Sequence, residues 1–422
     1  MHQKVSVAER RSLVLLPVVL ALLSMLGPFA IDTPFPAFKS MGEEFSADKG
    51  SMQLVVSAYL LAFGLMSPFH GPLSDAIGRR KVMVGGVGVF ALASIGCALS
   101  QSLPMLLVFR VLQGLSAGGG VIVSRTVVRD LYDGDQAQRL MSRVMLIFGV
   151  APAVAPIVGG LLLQLGPWPL IFWFLAAVGG LLAVVVITLL PETHPPERRI
   201  PFSVGSLVAS LADIGRSPRF HLVAWGAAFG FAGQFLYIGA APIFVVDLLG
   251  LGELDFWVFF VPMIIGLMTG AWVSGRTAGR VRRGVLISAG MTFALFGAGV
   301  NVLLAALPAT SGELPWAVIG PALIAAGSGA AYPSQQLILL DMFPALRGSA
   351  VSMFTFFTLV LNALIAALVA PRVTDSVLTM ALAALVLIAV GLSLWTLHVL
   401  LGLRARHEAA SVPESLAPTD SL

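Results

Sequence analysis

The sequence predicts an all-α integral membrane protein with twelve transmembrane helices in two six-helix bundles. Three observations carry that expectation. The chain of 422 residues is 58% hydrophobic and only 11% charged, with a mean hydropathy of +0.94, whereas a soluble domain is about 25% charged. A globule of this length cannot hide so much apolar surface in its core. Twelve stretches also meet the requirement of about 20 mostly apolar residues for a spanning helix. The basic residues, finally, collect in alternate loops.

The first six spans are read at 12–38, 51–72, 82–101, 104–128, 140–165 and 168–190. The second six are read at 220–246, 256–275, 284–307, 315–339, 349–370 and 377–402. Lys4, Arg10 and Arg11 precede the first apolar run, which leads into Pro28, Asp32, Pro34 and Pro36 without a convincing cleavage site, so it reads as a retained span. With twelve spans, 21 of the 25 Lys and Arg residues fall on one side, Lys39, Lys49 and Arg372 on the other, and Arg110 inside a span. The positive-inside rule then places both termini in the cytoplasm.

The domain reading follows: an N-terminal bundle over 1–190, a cytoplasmic central loop over 191–218, a C-terminal bundle over 219–404, and a disordered tail over 405–422 rich in Ser, Pro, Ala and acid. The net charge of +4 is dispersed over short loops, which argues against nucleic acid as a partner. A single cysteine, Cys97, excludes an intramolecular disulfide and a cysteine-based zinc site; in its apolar setting it reads as a buried, inert thiol. No metal, cofactor or phosphate-binding loop is indicated, so ATP is not the expected energy source.

Four segments carry the chemistry. Gly71-Pro-Leu-Ser-Asp75-Ala-Ile-Gly78-Arg79-Arg80-Lys81 joins spans two and three. Gly71 and Gly78 suit a tight turn, and Asp75 can pair with a basic residue or accept hydrogen bonds at a helix N-terminus. A weak second copy, Gly279-Arg280 with Arg282 and Arg283, lies half the chain away, with Arg276 in the place of Asp75. Span four carries Arg110 three residues before Gln113-Gly114. An arginine at that depth needs pairing or hydration, or it snorkels to the headgroups. Span five carries Gly149, Pro152, Pro156, Gly159 and Gly160. Its two prolines bend a helix and its glycines allow close packing, an ordinary role as well as a functional one. At the end of span one, Asp32 is either an interfacial residue or a buried carboxylate. Burial and a nearby cation act on such a carboxylate in opposite senses, so its charge can respond to what binds.

These segments resemble signatures of the major facilitator superfamily. The match over roughly 28–160 resembles its Bcr/CflA-type drug-resistance branch, bacterial drug/proton antiporters related to the multidrug transporter MdfA. Asp32-x-x-x-Pro36, Gly71–Asp75 and Arg125-Thr-Val-Val-Arg129-Asp130 carry that likeness. Ser24 and Met25 stand where MdfA-type proteins carry a second acidic residue, and Ala155 replaces a glycine of the span-five signature.

The resemblance implies a transporter rather than an enzyme, in a bacterial inner membrane, working by alternating access as a monomer. It implies proton coupling at Asp32 and Arg110, a cytoplasmic gate at Gly71, Asp75, Gly78, Arg79 and Arg80, and a span-five signature that accompanies export. The expected cargo is a drug-like amphipathic molecule, with a proton-coupled uptake symporter for a small metabolite as the alternative. Gln113, Gln234, Tyr237 and Asn362 are the polar residues expected to line the substrate cavity, with Phe231, Phe235, Phe354, Phe356 and Phe357 as candidate aromatic wall.

Overall fold

A computed structural model describes residues 7–131 and 134–410, with side chains described outside 7–16, 129, 132–148 and 404–410. The first half comprises α1 (Val7–Asp32), a short α2 (Phe38–Phe45), α3 (Lys49–Ile77), α4 (Arg79–Ala98), α5 (Leu103–Leu131), α6 (Gly134–Leu165) and α7 (Pro169–Leu189). A connecting helix, α8 (Val204–Gly215), leads to α9 (Pro218–Gly239), α10 (Phe256–Thr277), α11 (Arg283–Ala306), α12 (Trp316–Met342), α13 (Arg347–Leu364), a short α14 (Ala370–Val373) and α15 (Val377–Ala410). Each expected span lies on one of the long helices.

Ten helical segments among the described residues are long and apolar enough to cross a membrane. α6 and α12 complete the twelve. Only Gly149–Leu165 of α6 belongs to the described apolar stretch. α12 is 27 residues long but carries two prolines and buries Ser328, Ser334 and Gln335. It packs tightly between α10 and α11, so its surface faces protein more than lipid and needs less hydropathy.

The two halves repeat one packing scheme. In the first, α5 packs on α3 and α4, and α4 on α7; in the second, α12 packs on α10 and α11, and α11 on α15. The halves meet along α3–α13 and α6–α10, which are equivalent pairs under the same exchange. The turn between α3 and α4 rests on Gly78 at φ 106°, and its counterpart between α10 and α11 contains Gly279 at φ 78°. Both φ values suit glycine.

The exchange extends to a side-chain bond. Arg79, the first residue of α4, bonds Asp130, the penultimate residue of α5, at 3.1 Å. Arg283, the first residue of α11, bonds Asp341, the penultimate residue of α12.

Three details depart from the sequence reading. Gly71 lies inside α3, where a methyl would meet only open space, so the turn belongs to Gly78 alone. The connection over 191–218 contains α8, capped by Ser203 (Ser206 N–H to Oγ, 3.2 Å) and burying Leu207 and Ile214; Leu207 and Ile214 recur seven residues apart and so share one helix face. α15 continues to Ala410, six residues past the bundle boundary expected at 404, because Arg, Ala and Glu there are good helix formers. The rest of the expected disordered tail, 411–422, lies outside the described residues.

One face of the molecule carries the arginine-rich turns. On the opposite face, Asp48 caps α3 by accepting the Ser51 N–H at 2.6 Å. Hydrogen bonds from the Ser51 side chain and backbone hold the Asp48 carboxyl below its usual range.

A methyl at Gly78 would collide with the Glu192 carboxylate. Gly78→Ala is therefore expected to cost about 1–3 kcal/mol, read as a lower thermal unfolding midpoint of purified protein. Gly71→Ala, in open helix, is expected to leave that midpoint unchanged or slightly raised.

Candidate functional site

The strongest constellation is built around Arg110, two turns into α5 and wholly buried. It does not snorkel. Its Nε donates to the Val55 carbonyl on α3 at 2.9 Å, and its Nη1 donates to the Ala30 carbonyl on α1 at 2.8 Å. The sequence explains why the Ala30 oxygen is available. The residue four positions on is Pro34, which has no N–H to give it. Nη1 also donates to Gln113 Oε1 at 2.9 Å, one helical turn along α5. The guanidinium lies over the Tyr59 ring, 4.6 Å from its centre, a cation–π contact favoured by desolvation.

The network continues outward from Gln113. Its Nε2 donates to Ser94 Oγ at 2.7 Å, and the Cys97 thiol lies 3.6 Å from its Oε1. Ser94 in turn donates to the Phe90 carbonyl at 2.7 Å. Cys97 is buried and free, as expected.

Asp32 ends α1 and is 2% exposed. It feels the charge of Arg110, but the two form no ion pair among the described residues. Asp32 Oδ1 and Arg110 Nη2 are both buried without a hydrogen-bond partner. An acid and a base thus sit near one another with one free atom each, and carbonyl dipoles carry most of the cation's solvation. Such a pair can change protonation without breaking the network that fixes Arg110. Ser24, near the place of the missing second acid, is tied to Ser124 at 2.8 Å.

The span-five residues lie on α6. Pro152 and Pro156 are inside the helix. A methyl at Gly159 would collide with the Thr33 carbonyl, so α6 packs directly on the residue after Asp32. A methyl at Gly160 would come within 2.8 Å of the Glu253 carbonyl in the other half. Gly149 has open space around it.

The four candidate cavity residues do not converge. Gln113 belongs to the Arg110 network. Tyr237 accepts a 2.6 Å hydrogen bond from Asn301 Nδ2, tying α9 to α11 inside the second bundle. Gln234 and Asn362 are buried with unpartnered oxygens. The candidate aromatics pack against each other and their neighbours: Phe357 stacks on Trp225 at 4.6 Å, while Phe231 and Phe354 flank Tyr332. Gln53 was not singled out from sequence; it is 0% exposed and both its amide atoms lack partners. In the sequence it is a lone amide in the first turns of an apolar span, a place where an interfacial residue is expected.

At the basic face, Arg79 pairs with Asp75 at 2.5 Å and donates to Ser74 Oγ at 2.6 Å. Its backbone N–H donates to Glu192 at 2.9 Å, so the carboxylate at the α4 N-terminus is Glu192 rather than Asp75. Arg80 bonds the Ile187 carbonyl. These partners all belong to the first half or to the segment leaving it. Among the described residues, no three His, Cys, Asp or Glu side chains cluster as metal ligands would.

Two helical bundles related by exchange, with a buried cation in the first and unpartnered amides in the second, define a polytopic carrier. The Major Facilitator Superfamily profile matches residues 20–367. An uncharacterized MFS-type transporter of Bacillus subtilis, YdgK, is 30% identical over 86% of this chain and 90% of its own length. The bicyclomycin resistance protein homolog of Haemophilus influenzae is 28% identical, over 87% and 92% respectively. Multidrug resistance protein D of Escherichia coli is 28% identical, over 81% and 85%. Among solved structures, a bacterial homolog of the human lysosomal transporter Spinster, in an inward-facing and unoccupied conformation, superposes with a TM-score of 0.71 at 16% identity, covering 93% of this chain and 97% of that one.

The chain belongs to the Major Facilitator Superfamily and is related to its bacterial multidrug-resistance-type members. It is a multi-pass membrane transporter of small molecules that works by alternating access, not an enzyme. The matches single out no relationship to MdfA in particular.

Gln113→Leu removes one of the acceptors at Arg110 Nη1. It is expected to destabilise the protein by about 1.5–3 kcal/mol, the range for a hydrogen bond to a charged group. Thermal unfolding of the purified variant beside wild type measures it.

Proposed function

We propose that this protein is a proton-driven exporter of drug-like amphipathic molecules in a bacterial inner membrane. The arginine-rich face lies in the cytoplasm with both termini, and the monomer is the working unit. The observation that carries the reading is the buried Asp32–Arg110 pair with its free Oδ1 and free Nη2. The relatives named for bicyclomycin resistance and multidrug resistance support export of such cargo.

In this reading a proton from outside binds Asp32 Oδ1. The neutral acid no longer offsets Arg110, and the local field at the end of α1 changes. Thr33 passes the change to α6 through its contact with Gly159. Substrate arriving from the cytoplasm enters between the bundles, where the free oxygen of Gln234 or of Asn362 is a candidate acceptor for its donors. Release of the proton inward completes the exchange. The present arrangement, joined on the non-basic face by Lys49–Asp247 at 3.0 Å and by the Phe35–Phe260 stack, is then the one closed to the outside.

Everted vesicles test the reading. A cationic dye is expected to accumulate when the lumen is acidified, and a protonophore is expected to collapse the accumulation. Asp32→Asn is expected to abolish proton-driven accumulation by at least about 100-fold, the scale of 2.7 kcal/mol, while dye binding to purified protein persists. Wild-type accumulation by Asp32→Asn at every pH overturns the mechanism. Uptake into intact cells without accumulation in everted vesicles overturns the direction.

A further inference from the structure

The connection between the two halves carries an apolar edge that its own packing leaves uncovered. From Ile200 to Ala212 it has no charged side chain, and charges crowd both ends. Glu197, Arg198 and Arg199 precede the stretch; Asp213, Arg216 and Arg219 follow it. Within it, Ile200, Phe202, Val204 and Val208 are each between 39% and 66% exposed.

Helical spacing sorts α8 into three stripes. Leu207 and Ile214 form the buried one, and α8 packs on α13. A methyl at Gly215 would come within 3.2 Å of the Met353 side chain on α13. Val204, Val208 and Leu211 recur at i, i+4 and i+7 along one side of the buried stripe. Ser206, Ser210 and Asp213 recur at the same spacing along its other side. The two sets are two residues out of step, about 200° around the helix. A docked helix with an apolar edge on one side and a polar edge on the other suits a boundary between lipid and water.

The chain holds α8 at such a boundary. α9 is a membrane-spanning segment, and it starts at Pro218, three residues after α8 ends at Gly215. Three residues reach at most about 11 Å, so the end of α8 stays at the edge of the bilayer. Arg198 and Arg219 are exposed and join no ion pair among the described residues. Arg216 pairs with Asp213 at 3.2 Å, and the Arg199 guanidinium lies beside the α3–α4 turn at Gly78.

We propose that residues 200–203 and α8 form a lipid anchor on the basic face. The edge of Ile200, Phe202, Val204 and Val208 enters the acyl region, and Arg198 and Arg219 hold the headgroups of anionic phospholipids. Anionic lipid is the complementary occupant because the free charges at both ends of the apolar edge are positive. Their long stems let the edge sink while the guanidinium groups stay among the headgroups. The anchor is fixed to the second half through α13, whereas the chain just before it is tied to the first. There Glu192 accepts from the Arg79 N–H at 2.9 Å, and the Ile200 N–H donates to the Asp75 carbonyl at 3.3 Å. The lipid edge therefore lies where the connection crosses between the halves. It stands whichever side of the membrane the basic face meets, and whether or not the protein exports by proton exchange.

A bimane label on Val208→Cys or on Ser206→Cys reads which edge meets lipid, in the full chain in lipid nanodiscs. Both positions are exposed, and the native Cys97 is buried. The quenchers are phosphatidylglycerol or phosphatidylcholine bearing a nitroxide near the headgroup end of one acyl chain, and iodide in the water. Lipid nitroxide is expected to quench position 208 at least about three-fold more than position 206, and iodide to show the reverse order. Labelled phosphatidylglycerol is expected to quench position 208 at least about two-fold more than labelled phosphatidylcholine. Arg198→Gln combined with Arg219→Gln is expected to erase that preference. Raising salt to about 0.5 M is expected to erase it with both arginines in place, which keeps the test decisive if the double variant does not fold.

Equal quenching of the two positions by lipid overturns the anchor, as does iodide reaching 208 as readily as 206. Protection of 208 from both quenchers also overturns it, since protein then covers the edge. Equal quenching of 208 by the two lipids at low salt overturns the choice of an anionic headgroup.

Discussion

The burial of one guanidinium constrains the first bundle more than any other contact. Arg110 is held by carbonyls from α1 and α3, by Gln113 on its own helix and by the Tyr59 ring. Three helices therefore meet at one cation. Each contact restricts the sequence around it: Pro34 must leave the Ala30 carbonyl free, Gln113 must lie one turn on, and Tyr59 must share a face of α3 with Val55. A charged side chain deep in a bilayer is costly by at least about 2.5 kcal/mol. It persists here because dipoles have replaced its water shell, with Asp32 near it and not joined to it in an ion pair.

The bilayer made most of the fold legible from sequence. Length and hydropathy located ten spans clearly and two, the first and the tenth, less so, and the alternation of arginines supported the count of twelve. α12 was the hardest to read because a helix surrounded by other helices need not be apolar; its small and amide-bearing residues serve packing. Gly71 misled because helical glycine and turn glycine look alike in one dimension, and only the positive φ of Gly78 separates them. The Arg283–Asp341 bond was invisible because its partners lie 58 residues apart. Seen beside Arg79–Asp130, it makes the internal repeat much stronger than the degenerate loop motif suggested.

The candidate site was legible in part for the same reason. Asp32 and Arg110 stood out as charges in apolar runs, and burial made that contrast meaningful. The polar residues of the second half did not resolve into a cavity. Tyr237 finds its partner in Asn301, across the gap between α9 and α11. A single sequence carries no record of which amides face each other. Gln53 escaped notice because an amide near a span's end looks interfacial until its burial is known.

The two faces hold the halves in different ways. On the basic face, Arg79 is bonded to Asp75, Asp130 and Glu192, which stiffen one bundle and its exit segment. On the opposite face, the contacts cross between bundles. Lys49 and Asp247 are substantially exposed, at 65% and 36%, and an exposed ion pair contributes only about 0–1 kcal/mol. Alternating access needs rigid halves and a junction that opens at small cost, and this division provides both. Under the proposed mechanism the same logic gives Asp32 its leverage. It lies one residue from Thr33, which touches Gly159, beside Gly160, which meets the Glu253 backbone of the other half. A change of charge at the end of α1 thus reaches the junction through two adjacent glycines, where no side chain intervenes to absorb it.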